Sequence, residues 1–158
     1  MTTPAPDCTL RDAANQTVTL SSLWAKGPLL LIFYPGDETP VCTAQLCEYR
    51  DRWTDFTAAG VQVVGINPSS HERHGKFATN HRFPFPLLSD TDNACCKAYG
   101  AKAWYGTRRQ VVLIDAQGNE RWRKVTFPFF RPKADDLLAA VKQHLGGRSG
   151  VRGPGSGV

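Results

Sequence analysis

The short apolar run Leu29–Tyr34 is the feature that most constrains how this chain can fold. It is bounded by Gly27-Pro28 on one side and Pro35-Gly36 on the other, and glycine and proline commonly mark turns. A run of this length without polar positions predicts a β-strand that is buried on both faces. Such strands lie in sheets that helices cover on both sides, so we expect an α/β fold around this strand.

A helix is predicted directly after the strand. Thr39 suits the N-cap position, and Pro40 suits the first helical position because its missing N–H is not required there. Cys42 then lies in the first turn, where unpaired backbone N–H groups and the positive end of the helix dipole favour an anion. The sequence therefore predicts a reactive thiolate at Cys42 rather than an ordinary core cysteine. The helix is expected to run through about Ala59, with apolar side chains at Leu46, Tyr49, Trp53 and Phe56.

A second cysteine, Cys47, follows Cys42 on the same predicted helix. On an intact helix the two side chains point about 140° apart and are separated by about 7.5 Å along the axis. A disulfide generally requires Cα atoms closer than about 7 Å, so the pair can close only if part of the helix unwinds. A thiol that reacts in the folded state and is resolved by local unfolding suits the processing of an oxidant better than a structural disulfide.

The rest of the chain predicts alternating strands and helices. Cys8–Asp12 and Thr17–Leu20 are expected to pair as an N-terminal hairpin. This order predicts a thioredoxin-like three-layer α/β sandwich with an N-terminal hairpin extension. The other predicted strands are Val61–Ile66, Leu87–Leu88, Gln110–Ile114 and Glu120–Val125, and the other predicted helices are Ser69–His81, Thr91–Tyr99 and Asp135–Leu145.

The composition, with 41% hydrophobic and 21% charged residues, is that of an ordinary globular domain. We expect one domain over residues 1–145 and a flexible, glycine-rich basic tail over residues 146–158. We expect neither a leader peptide nor a membrane-spanning run, and two tail arginines without interleaved aromatic residues do not predict a nucleic-acid or membrane partner. Five cysteines without a disulfide-framework spacing indicate a reducing compartment, and we expect the cytoplasm.

The residues around Cys42 resemble those of a peroxiredoxin of the Q-type, bacterioferritin-comigratory subgroup. The family pattern Pro-x-x-x-Thr-x-x-Cys is matched by Pro35, Thr39 and Cys42. The subgroup's second cysteine, five residues later, is matched by Cys47. The resemblance extends from about residue 6 to residue 145. It implies the thioredoxin-like fold that the element order also predicts.

Segments farther along the chain add to this resemblance. Phe85–Asp90 and Ala98–Gly100 are similar to the subgroup's central strand and the helix that follows it. Arg109–Asp115 matches the segment whose leading arginine belongs to the active site, and register selects Arg109 over the adjacent arginine. The chain departs from the subgroup at Val41, where glycine is usual, and at Gln45, where glutamate is usual. The second departure removes one charged group expected near the site.

The resemblance implies a thiol-dependent peroxidase that reduces hydrogen peroxide and organic hydroperoxides. In this interpretation Cys42 becomes a sulfenic acid, and Cys47 resolves it to an intramolecular disulfide that thioredoxin or a similar dithiol reduces. The implied hydrogen-bond donors to the peroxide are the Thr39 hydroxyl, the backbone N–H of Cys42 and the guanidinium of Arg109, which also stabilises the thiolate. Pro35 would shield the site from water. No metal, flavin or nicotinamide cofactor is implied, and the subgroup favours a monomer.

Two other functions would use the same reactive thiol. One is a peroxide sensor or holdase, which shares the first oxidation with the enzyme. The other is a thiol–disulfide oxidoreductase acting on proteins, although such proteins usually carry Cys-x-x-Cys at this turn. Cys95 and Cys96, in the first turn of a predicted helix capped by Asp92, are alternative resolving thiols. The preferred interpretation makes them one buried and one exposed bystander, and makes Cys8 a strand residue.

Two further groups of residues have competing interpretations. His71, His74 and His81 lie on a polar predicted helix and are expected at the surface rather than in a zinc site. The aromatic residues of two predicted loops are expected to form a secondary hydrophobic cluster beneath those loops. The alternative is an apolar collar around Cys42 or a dimer interface. These aromatic residues are Trp104, Tyr105, Phe127, Phe129 and Phe130.

Overall fold

The predicted buried strand forms β4 (Leu29–Phe33), which lies in the middle of an eight-stranded sheet. The computed structural model describes residues 3–37, 39–126 and 131–145. The other strands are β1 (Thr3–Pro4), β2 (Thr9–Arg11), β3 (Thr17–Thr19), β5 (Gln62–Asn67), β6 (Leu87–Ser89), β7 (Lys102–Ala103), β8 (Gly106–Thr107), β9 (Gln110–Ile114) and β10 (Asn119–Val125). The helices are α1 (Leu20–Trp24), α2 (Pro40–Asp51), α3 (Trp53–Ala58), α4 (His71–His81), α5 (Ala94–Ala98) and α6 (Ala134–Leu145).

The sheet has the strand order β1-β10-β9-β4-β5-β6-β2-β3, and β7 and β8 form a separate two-stranded ribbon. Strand β4 is parallel to β5 and antiparallel to β9, while β5 is parallel to β6. Strands β2 and β3 form the predicted hairpin, in which Leu10 pairs with Val18, and this hairpin extends the sheet at one edge. All five residues of β4 are buried, as the apolar run predicts.

Side chains of β4 alternate between two core clusters. Leu30 and Ile32 pack in a cluster with residues of α2, α3, α4 and α6. Leu29, Leu31 and Phe33 pack in the other cluster with residues of α1, α5 and β2. This alternation follows from the two-residue period of a strand. The prediction of a thioredoxin-like three-layer sandwich is therefore confirmed. Among the described residues, no helix has the length and apolar character needed to cross a bilayer.

Two predicted helices differ from the observed ones. The helix expected through Ala59 is divided into α2 and α3, because the backbone at Arg52 (φ −105°, ψ 18°) leaves the helical region. The helix expected from Thr91 begins only at Ala94, because Asn93 adopts the left-handed conformation at φ 61°. The remaining predicted elements appear with bounds shifted by two residues or fewer. The predicted tail over residues 146–158 and the aromatic segment at residues 127–130 lie outside the described residues.

Candidate active site

Helix α2 places Cys42 next to the carboxyl end of β4. Thr39 occupies the N-cap position with an extended backbone (φ −82°, ψ 150°), and Pro40 begins the helix. The Cys42 side chain is 0% exposed. The hydroxyl of Thr39 makes no capping bond to the helix and instead donates a hydrogen bond to the Gly36 carbonyl at 3.2 Å. The thiol of Cys42 thus lies in the first turn of α2, and the N-cap side chain accepts no hydrogen bond from the N–H groups of this turn.

Arg109, the residue just before β9, contacts the sulfur of Cys42. Its side chain is 1% exposed, and its Nη2 donates a hydrogen bond to Cys42 Sγ at 3.2 Å. The neighbouring Arg108 is half-buried, and its backbone N–H is bonded to the carbonyl of Ala101. The structure therefore brings Arg109, rather than Arg108, to the candidate nucleophile. A guanidinium keeps its charge when buried and forms a strong charge-assisted bond to a thiolate.

A chain of hydrogen bonds positions the guanidinium. Nη1 of Arg109 donates to Gln45 Oε1, and Gln45 Nε2 donates to the Tyr49 hydroxyl at 3.0 Å. The Tyr49 hydroxyl in turn donates to the Pro132 carbonyl at 2.5 Å. Burial raises the pKa of Tyr49, so its hydroxyl remains a donor across the ordinary pH range. The residue at position 45 therefore still binds the arginine, although its amide brings no negative charge.

Asp37 is a buried hydrogen-bonding centre in the loop between β4 and α2. Its Oδ1 accepts from the Tyr34 hydroxyl at 2.6 Å and from Asn67 Nδ2 at 3.3 Å. Its Oδ2 lies 2.7 Å from Nδ1 of His74, and its backbone carbonyl accepts from Arg73 at 3.2 Å. Burial and the adjacent Asp37 carboxylate raise the pKa of Tyr34 well above its ordinary value, which keeps the phenol protonated. These bonds hold the loop that carries Pro35 and Thr39.

The prediction that all three helix α4 histidines lie at the surface is wrong for His74. Its side chain is fully buried, and it forms the contact with Asp37. The buried face of α4 carries His74 and Phe77, which are three residues apart and therefore share one side of the helix. His71 and His81 are half-buried. Among the residues that the structure describes, no cluster of three or more histidine, cysteine or acidic side chains could hold a metal ion.

Cys47 lies on α2 but has different neighbours from Cys42. It is half-buried, and its Sγ is 3.8 Å from Nδ1 of His81 on α4. Both cysteines are within one continuous helix, as the spacing predicts. Each is present as a thiol rather than in a disulfide. A bond between the two sulfurs consequently requires part of α2 to unwind.

The remaining cysteines lie on the other side of the sheet. Cys95 and Cys96 are both buried, so the prediction of one exposed bystander is wrong. The carboxylate of Asp90 accepts hydrogen bonds from the backbone N–H groups of both cysteines. Asp92, the expected cap of this helix, accepts a hydrogen bond from the N–H of Ala94. Cys8 lies immediately before β2, so the prediction that it is a strand residue is wrong. These three cysteines pack in the core cluster that does not contain Cys42.

The two described aromatic residues of the predicted hydrophobic cluster are exposed. Trp104 and Tyr105 connect β7 to β8 and are 95% and 43% exposed. Their rings contact each other at a centroid distance of 5.5 Å. The prediction of a cluster buried beneath the loops is therefore wrong for this pair, because the short two-stranded ribbon carries both side chains away from the core. Phe127, Phe129 and Phe130 lie outside the described residues.

Comparison with known proteins identifies relatives along most of the chain. The family model described as AhpC/TSA family matches residues 1–123. The chain is 37% identical over 151 residues to peroxiredoxin Bcp of Bacillus subtilis, covering 89% of this chain and 91% of that protein. It is 42% identical over 116 residues to chloroplastic peroxiredoxin Q of Populus jackii, covering 72% of this chain and 54% of that longer protein. Its structure resembles peroxidoxin BcpB from Mycobacterium tuberculosis with a TM-score of 0.82 and 29% identity, covering 90% of this chain and 97% of that chain.

Proposed function

Because the chain belongs to the AhpC/TSA family and is a thiol-dependent peroxidase related to Bcp and peroxiredoxin Q, we propose that Cys42 is the residue that reacts with the peroxide. The observation that carries this assignment is the 3.2 Å contact from Arg109 Nη2 to Cys42 Sγ. Both side chains are buried, so bulk water does not screen the contact. The guanidinium is thus placed to bind the sulfur while it acts as the nucleophile.

The first step is oxidation of Cys42 by a hydroperoxide. The thiolate attacks the terminal oxygen, a sulfur–oxygen bond forms and the oxygen–oxygen bond breaks. The leaving oxygen takes up one proton and departs as water or an alcohol, while Cys42 becomes a sulfenic acid. Negative charge shifts from sulfur to the leaving oxygen during this step. The N–H groups of Arg109 accelerate the step by binding this developing charge more strongly in the transition state than in the ground state.

Thr39 and the backbone of Cys42 complete the proposed peroxide site. The Thr39 hydroxyl, expected as a donor to the peroxide, donates its proton to the Gly36 carbonyl, so its oxygen instead accepts the O–H of the hydroperoxide. The backbone N–H of Cys42 lies in the first turn of α2, where N–H groups have no intrahelical acceptor. Pro35, which is half-buried, shields the sulfur from water on the loop side. The substrate class is hydrogen peroxide and organic hydroperoxides.

The second step is the attack of the Cys47 thiol on the sulfenic acid, which releases water and forms a disulfide. We expect the amino-terminal half of α2 to unwind for this step. Pro40 and Ala44 in that half are exposed. The carboxyl-terminal half contacts other elements through Glu48 with the Ala134 N–H, Tyr49 with the Pro132 carbonyl and Arg50 with the His81 carbonyl. Unwinding the amino-terminal half keeps these bonds and breaks the contacts of Arg109 with Cys42 and Gln45.

The third step is reduction of the disulfide by an external dithiol such as thioredoxin. Thiol–disulfide exchange returns both cysteines to thiols and oxidises the dithiol. No bound cofactor is needed for the three steps. We further propose that residues 1–145 carry this activity as a monomeric domain in the cytoplasm, and that neither nucleic acid nor a membrane takes part.

The experiment is peroxide-dependent NADPH oxidation in the presence of thioredoxin and its reductase. Wild type should turn over continuously, Cys42→Ser should be inactive, and Cys47→Ser should form the sulfenic acid but stop after one oxidation. Full turnover by Cys47→Ser would contradict its resolving role. A wild-type protein that oxidises once and stops with several dithiols would instead indicate a peroxide sensor.

A further inference from the structure

Cys47, the proposed resolving thiol, has an imidazole ring beside it. Its Sγ lies 3.8 Å from Nδ1 of His81, and this contact joins α2 to the last residue of α4. Both side chains are half-buried. A histidine next to a cysteine is the arrangement in which a general base activates a thiol nucleophile. The three steps of the proposed cycle give His81 no role.

Two phenylalanine rings hold the His81 ring in place. Phe77, four residues earlier on the same face of α4, meets it edge to face at a centroid distance of 5.2 Å. Phe83 stacks on it at 5.5 Å with 21° between the ring planes. Arg82 ends the helix in the left-handed conformation (φ 54°), and the N–H of Phe83 bonds back to a carbonyl of the last helical turn at 3.1 Å. This packing limits rotation of Nδ1 away from the sulfur.

The contact between Cys47 and His81 lies in the half of α2 that stays folded in the proposed second step. Arg50, three residues after Cys47 and on the same side of α2, donates a hydrogen bond from Nη1 to the His81 carbonyl at 2.8 Å. This bond joins the carboxyl-terminal half of α2 to α4. Cys42 lies in the half that unwinds, so its sulfur moves toward Cys47 while His81 stays beside the attacking thiol.

The carboxyl end of α4 suits a group that takes up a proton. His81 is the last residue of the helix, where the negative end of the helix dipole stabilises a positively charged ring. Arg50 faces the pair from α2, is itself paired with the exposed Asp51, and adds positive charge that favours a thiolate at Cys47. Arg82, the next residue of the chain, is exposed. Because only the thiolate is strongly nucleophilic, removal of the thiol proton accelerates the attack.

We propose, on the basis of the proposed resolving role of Cys47, that His81 is the general base that takes the Cys47 proton in the second step. The Cys47 sulfur attacks the sulfur of the Cys42 sulfenic acid, a sulfur–sulfur bond forms and the sulfur–oxygen bond breaks. The leaving hydroxide takes up a proton from the charged ring and departs as water, which returns His81 to its neutral form. The sulfenic acid oxidises the thiol, so this step needs no external electron donor. The 3.8 Å contact shortens as the attack begins, as catalytic hydrogen bonds of resting enzymes commonly do.

A single-turnover experiment measures the two oxidation steps separately. The reduced full chain is mixed with one equivalent of hydrogen peroxide, quenched with acid at increasing times and analysed by intact mass spectrometry. The sulfenic acid adds one oxygen to the mass, and disulfide formation then removes one water.

His81→Phe keeps an aromatic ring beside Phe77 and Phe83 but lacks the nitrogen that faces Cys47. At neutral pH its first step should match that of wild type, while its second step should slow roughly 10- to 100-fold. Above about pH 9 an ordinary thiol ionises without a base, so the second steps of the variant and wild type should there agree within about twofold. His81→Gln, whose amide accepts a hydrogen bond but takes up no proton, should behave like His81→Phe.

The matched control is His71→Phe at the other end of α4, because the His71 ring lies near Glu72 rather than near a cysteine. Both of its steps should keep their wild-type rates. A second step in His81→Phe at the wild-type rate at neutral pH would overturn the assignment of the base. A slowing by the same factor at every pH would also overturn it, because a displaced helix rather than a missing base has that effect.

Cys47→Ser, measured in parallel, separates this proposal from the one on which it rests. It should accumulate the sulfenic acid without losing water. Disulfide formation in Cys47→Ser would show that Cys47 is not the resolving thiol, and the role of His81 would fail with it. Retention of the sulfenic acid in Cys47→Ser together with normal resolution in His81→Phe would overturn the role of His81 alone.

Discussion

Gln45 Oε1 accepts a hydrogen bond from Arg109 Nη1, so a neutral amide positions the guanidinium that contacts Cys42. A carboxylate at this position would bind the same donor but would also neutralise part of its charge. The amide leaves the full positive charge available to the sulfur and to the leaving oxygen of the peroxide. Tyr49, four residues farther along α2, fixes the orientation of this amide through its hydroxyl.

The variant Gln45→Leu tests this positioning. Without the amide oxygen, the Arg109 side chain loses one of the bonds that aim it at Cys42, so the rate of sulfenic acid formation should fall roughly 10- to 100-fold. Rapid-mixing measurement of the reaction with hydrogen peroxide gives this rate. The control is Gln45→Glu, which restores the acceptor and should recover most of the loss. Equal rates for Gln45→Leu and wild type would show that the amide does not position the arginine.

Replacement of Arg109 by lysine tests the shape of the cation as well as its charge. Lysine keeps the charge but lacks the planar fork that reaches both Cys42 and Gln45. The rate of Cys42 oxidation should fall by about 100-fold or more. Arg108→Lys is the matched control, because the neighbouring side chain is not part of this contact, and its rate should remain near that of wild type. The opposite order of effects would reassign the active-site cation to Arg108.

Asp37→Asn tests the buried network beneath the loop. The amide keeps one oxygen, but its NH₂ group cannot accept from the Tyr34 and His74 side chains that the carboxylate binds. Leaving a buried donor without an acceptor costs about 1–3 kcal/mol in the free energy of unfolding. Urea denaturation measures this loss, and the peroxide reaction should slow because the loop carries Thr39. Asp51→Asn, at an exposed ion pair with Arg50, should leave the unfolding midpoint almost unchanged.

Local sequence signals were sufficient for the strand and helix that carry Cys42. The apolar run of β4, its bounding Pro35-Gly36 turn and the Thr39-Pro40 helix start are all encoded by neighbouring residues. The hairpin of β9 and β10 is encoded in the same way by the turn around Asp115, whose carboxylate accepts two backbone N–H groups of the turn. Periodicity could not show the break at Arg52, since the apolar spacing continues through it.

Contacts between distant parts of the chain could not be predicted from local spacing. His74 looks like a surface residue on a polar helix, and only the tertiary fold brings it to the carboxylate of Asp37. Tyr49 looks like a core residue, and its hydroxyl finds its acceptor at Pro132. The position of Arg109 came from the family resemblance rather than from any pattern in the chain itself.

The central claim is that Cys42 is the thiol oxidised first, and trapping the sulfenic acid tests it most directly. Cys47→Ser, which lacks the proposed resolving thiol, is mixed with one equivalent of hydrogen peroxide and with dimedone, digested with trypsin and analysed by mass spectrometry. The account predicts a dimedone adduct at Cys42 in the tryptic peptide Gly27–Arg50. This adduct should be absent from the double variant that carries both Cys42→Ser and Cys47→Ser. The account would be contradicted if the first adduct formed in the peptide of Cys8 (Met1–Arg11) or of Cys95 and Cys96 (Phe83–Lys97) and was undiminished in the double variant.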